Sequence, residues 1–594
     1  MFQNVIWPDM IQWLQQQLDS LAADEAPAPS ALPPPEFPAL QFLSQQLNLT
    51  AFDQKVLLLG TAVEVAPELS RLYAQAQGHE MMTYPTLGLA LKLFADASWD
   101  AIAPEQPLRY WRLVRIEQSA GRPLTTSPLQ IDERIINLLI GGTNRLDYRL
   151  RPFLLPLVND HHPIALAPSQ QAAVAQASAH IEQTNGNRWP LLQLVGSDSV
   201  SKQLVTHQLA NHYQLNLYSL PVPLLPRSPQ ELTEFARLWH RESLLLPLAL
   251  YLDGQELESE GGQQEYAARL RHFLSQSNGL FLLDTREVRH DLGQKDEVIV
   301  INKPEPGEQM DAWRAQLPPN TPASISARLA AQFNLNLPTI HQIAQTTAAA
   351  DADLSAQLWQ ACLNHARPRL DTLAQRLVPK ATWADIVLPE DQLLLLRHLG
   401  DQVHNRSTVY EEWGFRRRSS RGLGITVLFA GESGTGKTMA AEVLANHLQL
   451  DLYRIDLSSV VSKYIGETEK NLRKLFDAAE DGGALLFFDE ADALFGKRSE
   501  VRDSHDRYAN IETNYLLQRL EAYQGLAILA TNMKSGLDDA FARRLRFSLT
   551  FRKPDRAYRR QIWQKIFPPQ TPLANLDYDY LAQTFELTGG SIYN

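Results

Sequence analysis

The sequence predicts an α/β protein in which two similar units follow a small, mainly helical N-terminal module. Each unit is expected to be a parallel sheet with helices on both faces and a helical lid. From residue 165 onwards, short apolar strands alternate with helical stretches, and this order occurs twice. Landmarks also recur: Ala210-Asn211-His212 returns as Ala445-Asn446-His447, and "KPEPGEQMDAWRAQLPP" (303–319) matches "KPDRAYRRQIWQKIFPP" (553–569). The repeat is far longer than the ~50 residues of solenoid repeats, which indicates a duplicated domain.

The composition is that of an acidic globular protein. The 594 residues include 55 Lys+Arg and 67 Asp+Glu, for a net charge of −12. This balance makes nucleic acid an improbable partner, because neutralising phosphates needs a surplus of basic residues. The single cysteine, Cys362, excludes an intrachain disulfide and fits a reducing cytoplasm. No apolar run reaches the ~20 residues that cross a bilayer, so no membrane partner is predicted.

The N-terminal part divides into three predicted segments. Residues 1–25 form an amphipathic helix whose apolar stripe comprises Met10, Trp13, Leu14, Leu18 and Leu21. That stripe either packs on its own domain or docks a partner. Residues 26–38 are a Pro-rich linker, and residues 39–164 form a mixed α+β module compatible with a winged-helix type.

The second unit, residues 376–594, contains a complete phosphate-binding motif. It follows the strand "ITVLFA" and precedes the helix "TMAAEVLANHL", the context in which G-x-x-x-x-G-K-[ST] binds nucleotides. Backbone amides and the helix N-terminus would hold the phosphates of ATP, Lys437 would neutralise them, and Thr438 would bind Mg²⁺. The motif consists of Gly431, Glu432, Ser433, Gly434, Thr435, Gly436, Lys437 and Thr438.

Two further strands of this unit end in polar residues suited to hydrolysis. The strand "LLFFDE" places Asp489 where it could orient the Mg²⁺ shell and Glu490 where it could activate water as a general base. The strand "ILATN" ends in Asn532, which could position that water. We expect the Asn532 strand to lie between the other two.

These residues together resemble the AAA clade of the AAA+ ATPases, a family of P-loop NTPases. The resemblance covers about 383–594 and rests on "GESGTGKT", "LLFFDEAD", "ATN" and "LDDAFARRLRF". It implies a hexameric ring in which Arg543 and Arg544 act as arginine fingers on the neighbouring subunit's ATP, with Arg546 less suited. It also implies an adenine pocket at Ile386 and Gly414, and a lid helix at Gly590 that we expect to continue beyond Asn594.

The resemblance also implies a central pore. In substrate-threading relatives, an aromatic–hydrophobic–Gly turn grips polypeptide, and Tyr464-Ile465-Gly466 matches it. Residues 496–510 would form the second pore loop. The family's intersubunit Asp-Gly-Phe is absent, and "LEAYQG" stands in its place.

The first unit, residues 165–375, retains the repeat but lacks its chemistry. Lys202 and Asp253 survive at the positions of Lys437 and Asp489. The groups expected for catalysis are replaced by Ser201, Gln203, Gly254, Arg286, Gly293 and Gln294. We therefore expect no hydrolysis in this unit, whereas nucleotide binding without turnover stays open. Its expected role is structural, as a second tier of the ring.

Three functions remain as hypotheses. The domain order resembles the AAA+ ATPases encoded with contractile injection systems, which implies a protein remodeller that handles a client or particle components. The alternative is a nucleotide-regulated scaffold that caps the particle and threads nothing. A DNA-directed motor is the third, and the acidic charge disfavours it.

Overall fold

The computed structural model describes residues 7–22, 37–118, 121–142, 145–158, 164–184, 189–255, 263–293, 296–347, 353–406, 408–415, 424–457, 467–493, 514–532, 545–568, 570–573 and 576–594. These residues form two compact units. The first comprises 1–162 and 170–302, and the second comprises 163–169 and 303–594. Among the residues described, none of the helices has the length and apolar character that crossing a bilayer requires.

The N-terminal module of the first unit is a helical cluster with one small antiparallel hairpin. The hairpin pairs β1 (Val114–Ile116) with β2 (Leu129–Ile131). Trp13 and Leu14 of the first helix are buried in the core of this module, so the amphipathic stripe packs on its own domain. The α-helices are Trp7–Ala22, Pro38–Leu47, Ala51–Val65, Leu69–Gln77, Leu87–Leu93, Pro107–Tyr110 and Glu133–Leu139.

The rest of the first unit is a six-stranded sheet in the order β8-β4-β7-β6-β5-β3. Five strands are parallel, and the edge strand β3 is antiparallel to β5. The strands are β3 (Leu155–Pro156), β4 (Leu191–Val195), β5 (Asn216–Pro221), β6 (Leu248–Asp253), β7 (Leu280–Thr285) and β8 (Asp296–Val300). The α-helices are Pro168–Gln183, Ser199–His212, Pro229–Leu245 and Gln263–Gln276.

A buried ion network joins the N-terminal module to the helix Pro229–Leu245 within the first unit. Arg241 contacts Asp147 at 2.6 Å and Arg134 contacts Glu242 at 3.0 Å. Burial raises the pKa of Glu242, and the two arginines oppose that shift. Because each charge has a partner, the network orients the two parts without leaving an isolated buried ion.

The second unit repeats the same sheet order, β14-β10-β13-β12-β11-β9, again with one antiparallel edge strand, β9. Each strand therefore has a counterpart in the first sheet, and β13 lies between β10 and β12 as expected. The predicted fold class is confirmed. The strands are β9 (Gln375–Leu377), β10 (Ile425–Ala430), β11 (Asp451–Asp456), β12 (Ala484–Asp489), β13 (Leu526–Thr531) and β14 (Phe547–Thr550).

Helices cover both faces of this second sheet. Val427 and Phe429 of β10 face one core cluster, whereas Leu428 and Ala430 face the other, as the period of two requires. The helices around the sheet are Glu390–His404, Lys437–Leu448, Glu467–Ala479 and 514–522. The lid helices are Arg556–Lys565, Tyr578–Thr584 and Gly589–Tyr593.

Four helices, Pro306–Gln316, Ala323–Gln332, Leu337–Thr347 and Leu354–Asp371, pack in the second unit. Phe333 forms an isolated antiparallel bridge with Gly482, and Trp359 donates a hydrogen bond to the carbonyl of Gln449 at 2.8 Å. Arg367 pairs with Asp451 at the start of β11 at 2.7 Å. In the sequence repeat, these helices correspond to the lid of the first copy. In the structure, they pack against the amino ends of β11 and β12 of the second compact unit. The end of the first copy at residue 375 stays a prediction.

Candidate nucleotide site

The phosphate-binding motif forms a turn between β10 and the helix Lys437–Leu448. Gly434 and Gly436 have φ angles of 78° and 102°, a region in which glycine is the least strained residue. The amide of Gly431 donates to the carbonyl of Thr531 at 3.1 Å, which ties the turn to β13. The turn therefore presents backbone amides beside a helix N-terminus, an arrangement that attracts anions.

Lys437 lies inside this turn and is only 8% exposed. Its ammonium donates to the carbonyl of Glu432 at 3.1 Å and to the side-chain oxygen of Asn532 at 2.9 Å. Burial lowers the pKa of Lys437, and the nearby charges of Asp489 and Asp492 oppose that shift. Its hydrogen-bond acceptors are neutral, so the ammonium charge is available to a phosphate.

Asp489 and Glu490 stand at the end of β12 in different environments. One oxygen of Asp489 accepts two bonds from Arg454, and the other accepts from the amide of Glu490 at 3.0 Å. Glu490 is exposed and has a φ of 53°, a left-handed conformation that costs of order 1 kcal/mol for a residue with a Cβ. The carboxylate of Glu490 is thus exposed at the end of β12, where it can accept a proton from an attacking water.

Asp492 is a site residue that the sequence reasoning missed. Its carboxylate accepts hydrogen bonds from the hydroxyl of Thr531 and from the amide of Asn532, the latter at 3.1 Å. It thereby fixes the residue whose side chain reaches Lys437. Its place in "DEAD", two residues after Glu490, was the signal that could have found it.

The lid reaches the phosphate-binding turn through Gly590. The amide of Gly590 donates to the carbonyl of Gly434 at 2.8 Å, and a Cβ at Gly590 would lie 3.0 Å from the Gly434 Cα.

The two residues predicted for the adenine pocket lie in different settings. Ile386 is buried in the core, and two residues before it the carbonyl of Ala384 accepts from Lys565 of the lid at 2.6 Å. Gly414 occupies a left-handed turn with a φ of 73°. The adenine-pocket role of Ile386 and Gly414 stays a prediction.

Several predicted residues lie outside the described part of the chain: Tyr464, Ile465, Arg543, Arg544 and the segment 496–510. Arg546 is described, and it donates to the hydroxyl of Tyr410 at 3.3 Å. Both line a cavity of about 510 Å³ together with Ile425 and Phe547, the first residues of β10 and β14. This cavity lies at the opposite strand ends from the phosphate-binding turn, so it is separate from the nucleotide site.

The donor set fits a nucleotide-bound Mg²⁺. Among the described residues no cluster of three or more His, Cys, Asp or Glu could hold a metal alone. Mg²⁺ usually takes one or two protein oxygens together with waters and substrate phosphates, so a dedicated cluster is not required. Thr438 is exposed on the first turn of its helix, and Asp489 is close enough to influence Lys437.

The segment of the first unit that corresponds to the phosphate-binding turn is helical. The helix there begins at Ser199, the counterpart of Gly434, whereas the second-unit helix begins at Lys437. Asp198 caps it by accepting from the amide of Ser201 at 2.9 Å. Ser201 stands where Gly436 is left-handed, and a Cβ makes that conformation costly. The amide cradle for a phosphate is therefore not formed in this unit.

Lys202 is fully buried and is paired within the first unit. Its ammonium contacts Asp284 and donates to the carbonyl of Thr285 at 2.8 Å. Asp284 also accepts from Ser199 at 2.8 Å and from Tyr251 at 2.5 Å. Burial lowers the pKa of Lys202, and Asp284 opposes that shift. A carboxylate of the protein thus supplies the negative charge that pairs with Lys202. The sequence reasoning missed Asp284, because no local pattern pairs it with Lys202.

Comparison with known protein families gives three matches along the chain. The ATPase family associated with various cellular activities (AAA) matches residues 427–555. A variant winged helix domain matches residues 25–154, and the contractile injection system ATPase helical domain matches residues 305–368. The last match coincides with the four helices that pack near β11 and β12.

Curated relatives match over about a third of the chain. An uncharacterized AAA family ATPase of Sinorhizobium fredii is 35% identical over 31% of this chain and 53% of its own length. A cell division cycle protein 48 homolog of Archaeoglobus fulgidus is 31% identical over 37% of this chain and 29% of its own. A 26S proteasome regulatory subunit 4 homolog of Schizosaccharomyces pombe is 29% identical over 36% and 48%. The chain thus spans about half or less of the lengths of these relatives.

The geometry of the phosphate-binding turn, the Asp489–Glu490 pair and Asn532 agrees with these matches. The chain carries an AAA ATPase domain together with a contractile injection system ATPase helical domain.

Proposed function

We propose that the second unit hydrolyses ATP in a Mg²⁺-dependent reaction. The observation that carries this proposal is the convergence of Lys437, Asn532 and the glycine turn. The ammonium of Lys437, at the start of its helix, donates to the side-chain oxygen of Asn532, just after β13, at 2.9 Å. A transferred phosphate needs positioning and charge neutralisation more than covalent chemistry. These are the two things that the turn and its lysine offer.

Each side chain then has a defined task in hydrolysis. Lys437 exchanges its carbonyl partners for phosphate oxygens, and Glu490 takes a proton from the attacking water. Asn532, held by Asp492, orients that water. Thr438 and Asp489 would hold Mg²⁺, which would supply stabilisation of negative charge.

We further propose that the chain works as a homo-hexameric ring. The support is the AAA domain match and the run that contains Arg543 and Arg544. A finger supplied by a neighbour contributes about 10³–10⁵ in rate by stabilising transition-state charge. The first unit, with Lys202 already neutralised by Asp284, contributes shape to this ring and takes no part in turnover.

The proposed biological role is remodelling of a protein client in the assembly or cargo handling of a contractile injection system, in the cytoplasm. The match of residues 305–368 to the helical domain of such ATPases supports this setting. Tyr464 and Ile465 would grip the client polypeptide. The alternative is a nucleotide-regulated scaffold for the particle that threads nothing, and the same helical-domain match favours it equally.

The ATPase proposal is tested with Glu490→Gln and Lys437→Ala. Glu490→Gln should bind ATP and assemble while turnover falls about 10²–10⁴-fold, because only the base is lost. Lys437→Ala should lose nucleotide binding itself. Binding is measured with a fluorescent ATP analogue, and turnover by phosphate release. Normal turnover by purified Glu490→Gln would remove Glu490 from the base role.

A trapped-client experiment separates the two biological roles. Glu490→Gln, loaded with ATP, should retain an unfolded model polypeptide inside a protease-resistant complex if the ring threads its client. Wild-type protein with ADP is the control. Release of the intact polypeptide under both conditions would favour the scaffold.

A further inference from the structure

Arg454 of β11 and Asp489 of β12 form a cross-strand ion pair at the nucleotide site. The guanidinium donates through Nε at 3.0 Å and through Nη2 at 2.7 Å, both to the same carboxylate oxygen. Arg454 is the register partner of Phe487, so its side chain and that of Asp489 point to the same face of the sheet. The contact is therefore set by the strand register.

Both oxygens of Asp489 accept hydrogen bonds from groups of the protein. Arg454 holds one oxygen, and the amide of Glu490 donates to the other at 3.0 Å. The carboxylate that the proposed function assigns to Mg²⁺ is thus already matched with a cation of the protein. A guanidinium and a divalent metal ion repel each other, so one carboxylate cannot serve both without loss.

The ion pair can open at modest cost. The Arg454 side chain is 42% exposed, and that of Asp489 is 20% exposed. Exposed pairs are weak because water solvates the separated charges well. A flexible arginine at the rim of the site can therefore swing into solvent without disturbing the sheet.

We propose that Arg454 and Mg²⁺ compete for Asp489, so that Arg454 is a positioning residue that lowers the affinity of the nucleotide site for the metal. This inference rests on the proposed function, because it concerns the same nucleotide site. While Arg454 is bound to Asp489, it neutralises the carboxylate and fixes its orientation. When Asp489 takes part in binding Mg²⁺ with nucleotide, it gives up Arg454.

The measurement uses the full chain and fluorescent ADP. It is the dissociation constant in EDTA divided by the dissociation constant in Mg²⁺. This ratio reports how much the metal strengthens nucleotide binding. Arg454→Met should raise the ratio about three- to tenfold, because the competing charge is gone. Arg454→Lys keeps the positive charge but loses the pair of N–H groups that Arg454 donates to Asp489. It should give an intermediate ratio.

Two controls separate competition from a general disturbance. Arg376 on the neighbouring strand β9 pairs with Asp371 at 3.5 Å, and Arg376→Met should leave the ratio unchanged. In an Asp489→Asn background, Arg454→Met should change the ratio less than twofold. A damaged fold would weaken binding in EDTA and in Mg²⁺ alike and would not raise the ratio.

An unchanged or lower ratio in Arg454→Met overturns the competition, and a lower one would mean that Arg454 prepares Asp489 for the metal. Failure of wild-type protein to bind ADP under either condition overturns the proposed function instead. The two failures are therefore distinguishable.

Discussion

Lys202 and Asp284 form an ion pair that solvent does not reach, with exposures of 0% and 1% for the two side chains. In the second unit the counterpart of Lys202 in the repeat is Lys437, and strand register places Ala530 at the position of Asp284. The first unit therefore supplies its own anion to the lysine, whereas the second unit has a buried, uncharged side chain at that position, and the hydrogen-bond acceptors of Lys437 are neutral. This relationship explains how a copy of the phosphate-binding turn keeps its lysine without needing a nucleotide.

The first prediction concerns this pair. Lys202→Met should lower the free energy of unfolding of the first unit by about 3–5 kcal/mol, because Asp284 would remain as an uncompensated buried charge. The ATPase rate of the folded protein should stay within about 20% of wild type, since hydrolysis is assigned to the second unit. Urea unfolding and phosphate release measure the two quantities.

The matched control is the double variant Lys202→Met/Asp284→Asn, which removes both charges. It should recover most of the lost stability. If Lys202→Met halves the ATPase rate while the protein stays folded, the first unit senses nucleotide and its assigned structural role is wrong.

The second prediction concerns Arg543 and Arg544. Subunits carrying Arg543→Ala/Arg544→Ala should hydrolyse ATP at least about 10³-fold more slowly when alone, as expected for lost fingers. Mixing them with Lys437→Ala subunits should restore part of the activity, because each defective subunit then supplies what its neighbour lacks. Phosphate release is followed across the mixing ratio.

Arg546→Ala serves as the comparison, because Arg546 contacts Tyr410 of its own subunit. It should cause a much smaller loss of rate. Absence of rescue in mixed rings of demonstrated composition would count against fingers that act across the interface.

The third prediction concerns Tyr464. Tyr464→Ala should reduce processing of a client polypeptide at least about tenfold, because the aromatic ring would supply the grip. ATP turnover should fall far less than client processing, since Tyr464 is not assigned to phosphate chemistry. Tyr464→Phe keeps the ring and should retain processing. Equal client processing by Tyr464→Ala and wild type would favour the scaffold.

The fourth prediction concerns the joint between the helices at 306–371 and the β12 strand. Gly482 has a φ of 90°, and a Cβ there would lie 2.1 Å from the carbonyl oxygen of Gln332. Gly482→Ala should therefore destabilise the second unit by about 1–3 kcal/mol through backbone strain. Gly307, in the first turn of a helix with open space around it, is the control.

Gly307→Ala should be neutral or stabilising by up to about 1 kcal/mol, because alanine is the better helix former. Thermal unfolding of the full chain compares the two variants. Equal unfolding temperatures for Gly482→Ala and wild type would mean that the joint rearranges freely and does not hold the helices in place.

The sequence alone predicted the fold class and the elements of the candidate nucleotide site. The reason is that these signals are local: a glycine-rich turn needs specific residues at fixed spacing, and apolar strands with a period of two bury both faces. The position of β13 between β10 and β12 was also expected, and the structure confirms it. The roles of Ile386, Gly414, Arg543 and Tyr464 stay predictions.

Only the tertiary structure decided which distant side chains meet. Asp284 reaches Lys202, Arg454 reaches Asp489, and Asp492 fixes Asn532 through strand register and sheet order, which no short pattern encodes. The helix that begins at Ser199 is an exception, because its cap, Asp198, lies only three residues before Ser201, from whose amide it accepts a hydrogen bond. Sequence spacing thus determined which functional groups the chain contains. Long-range packing decided which of the two lysines already has a charged partner in the protein, because a buried charge is stable only when the fold places an opposite charge beside it.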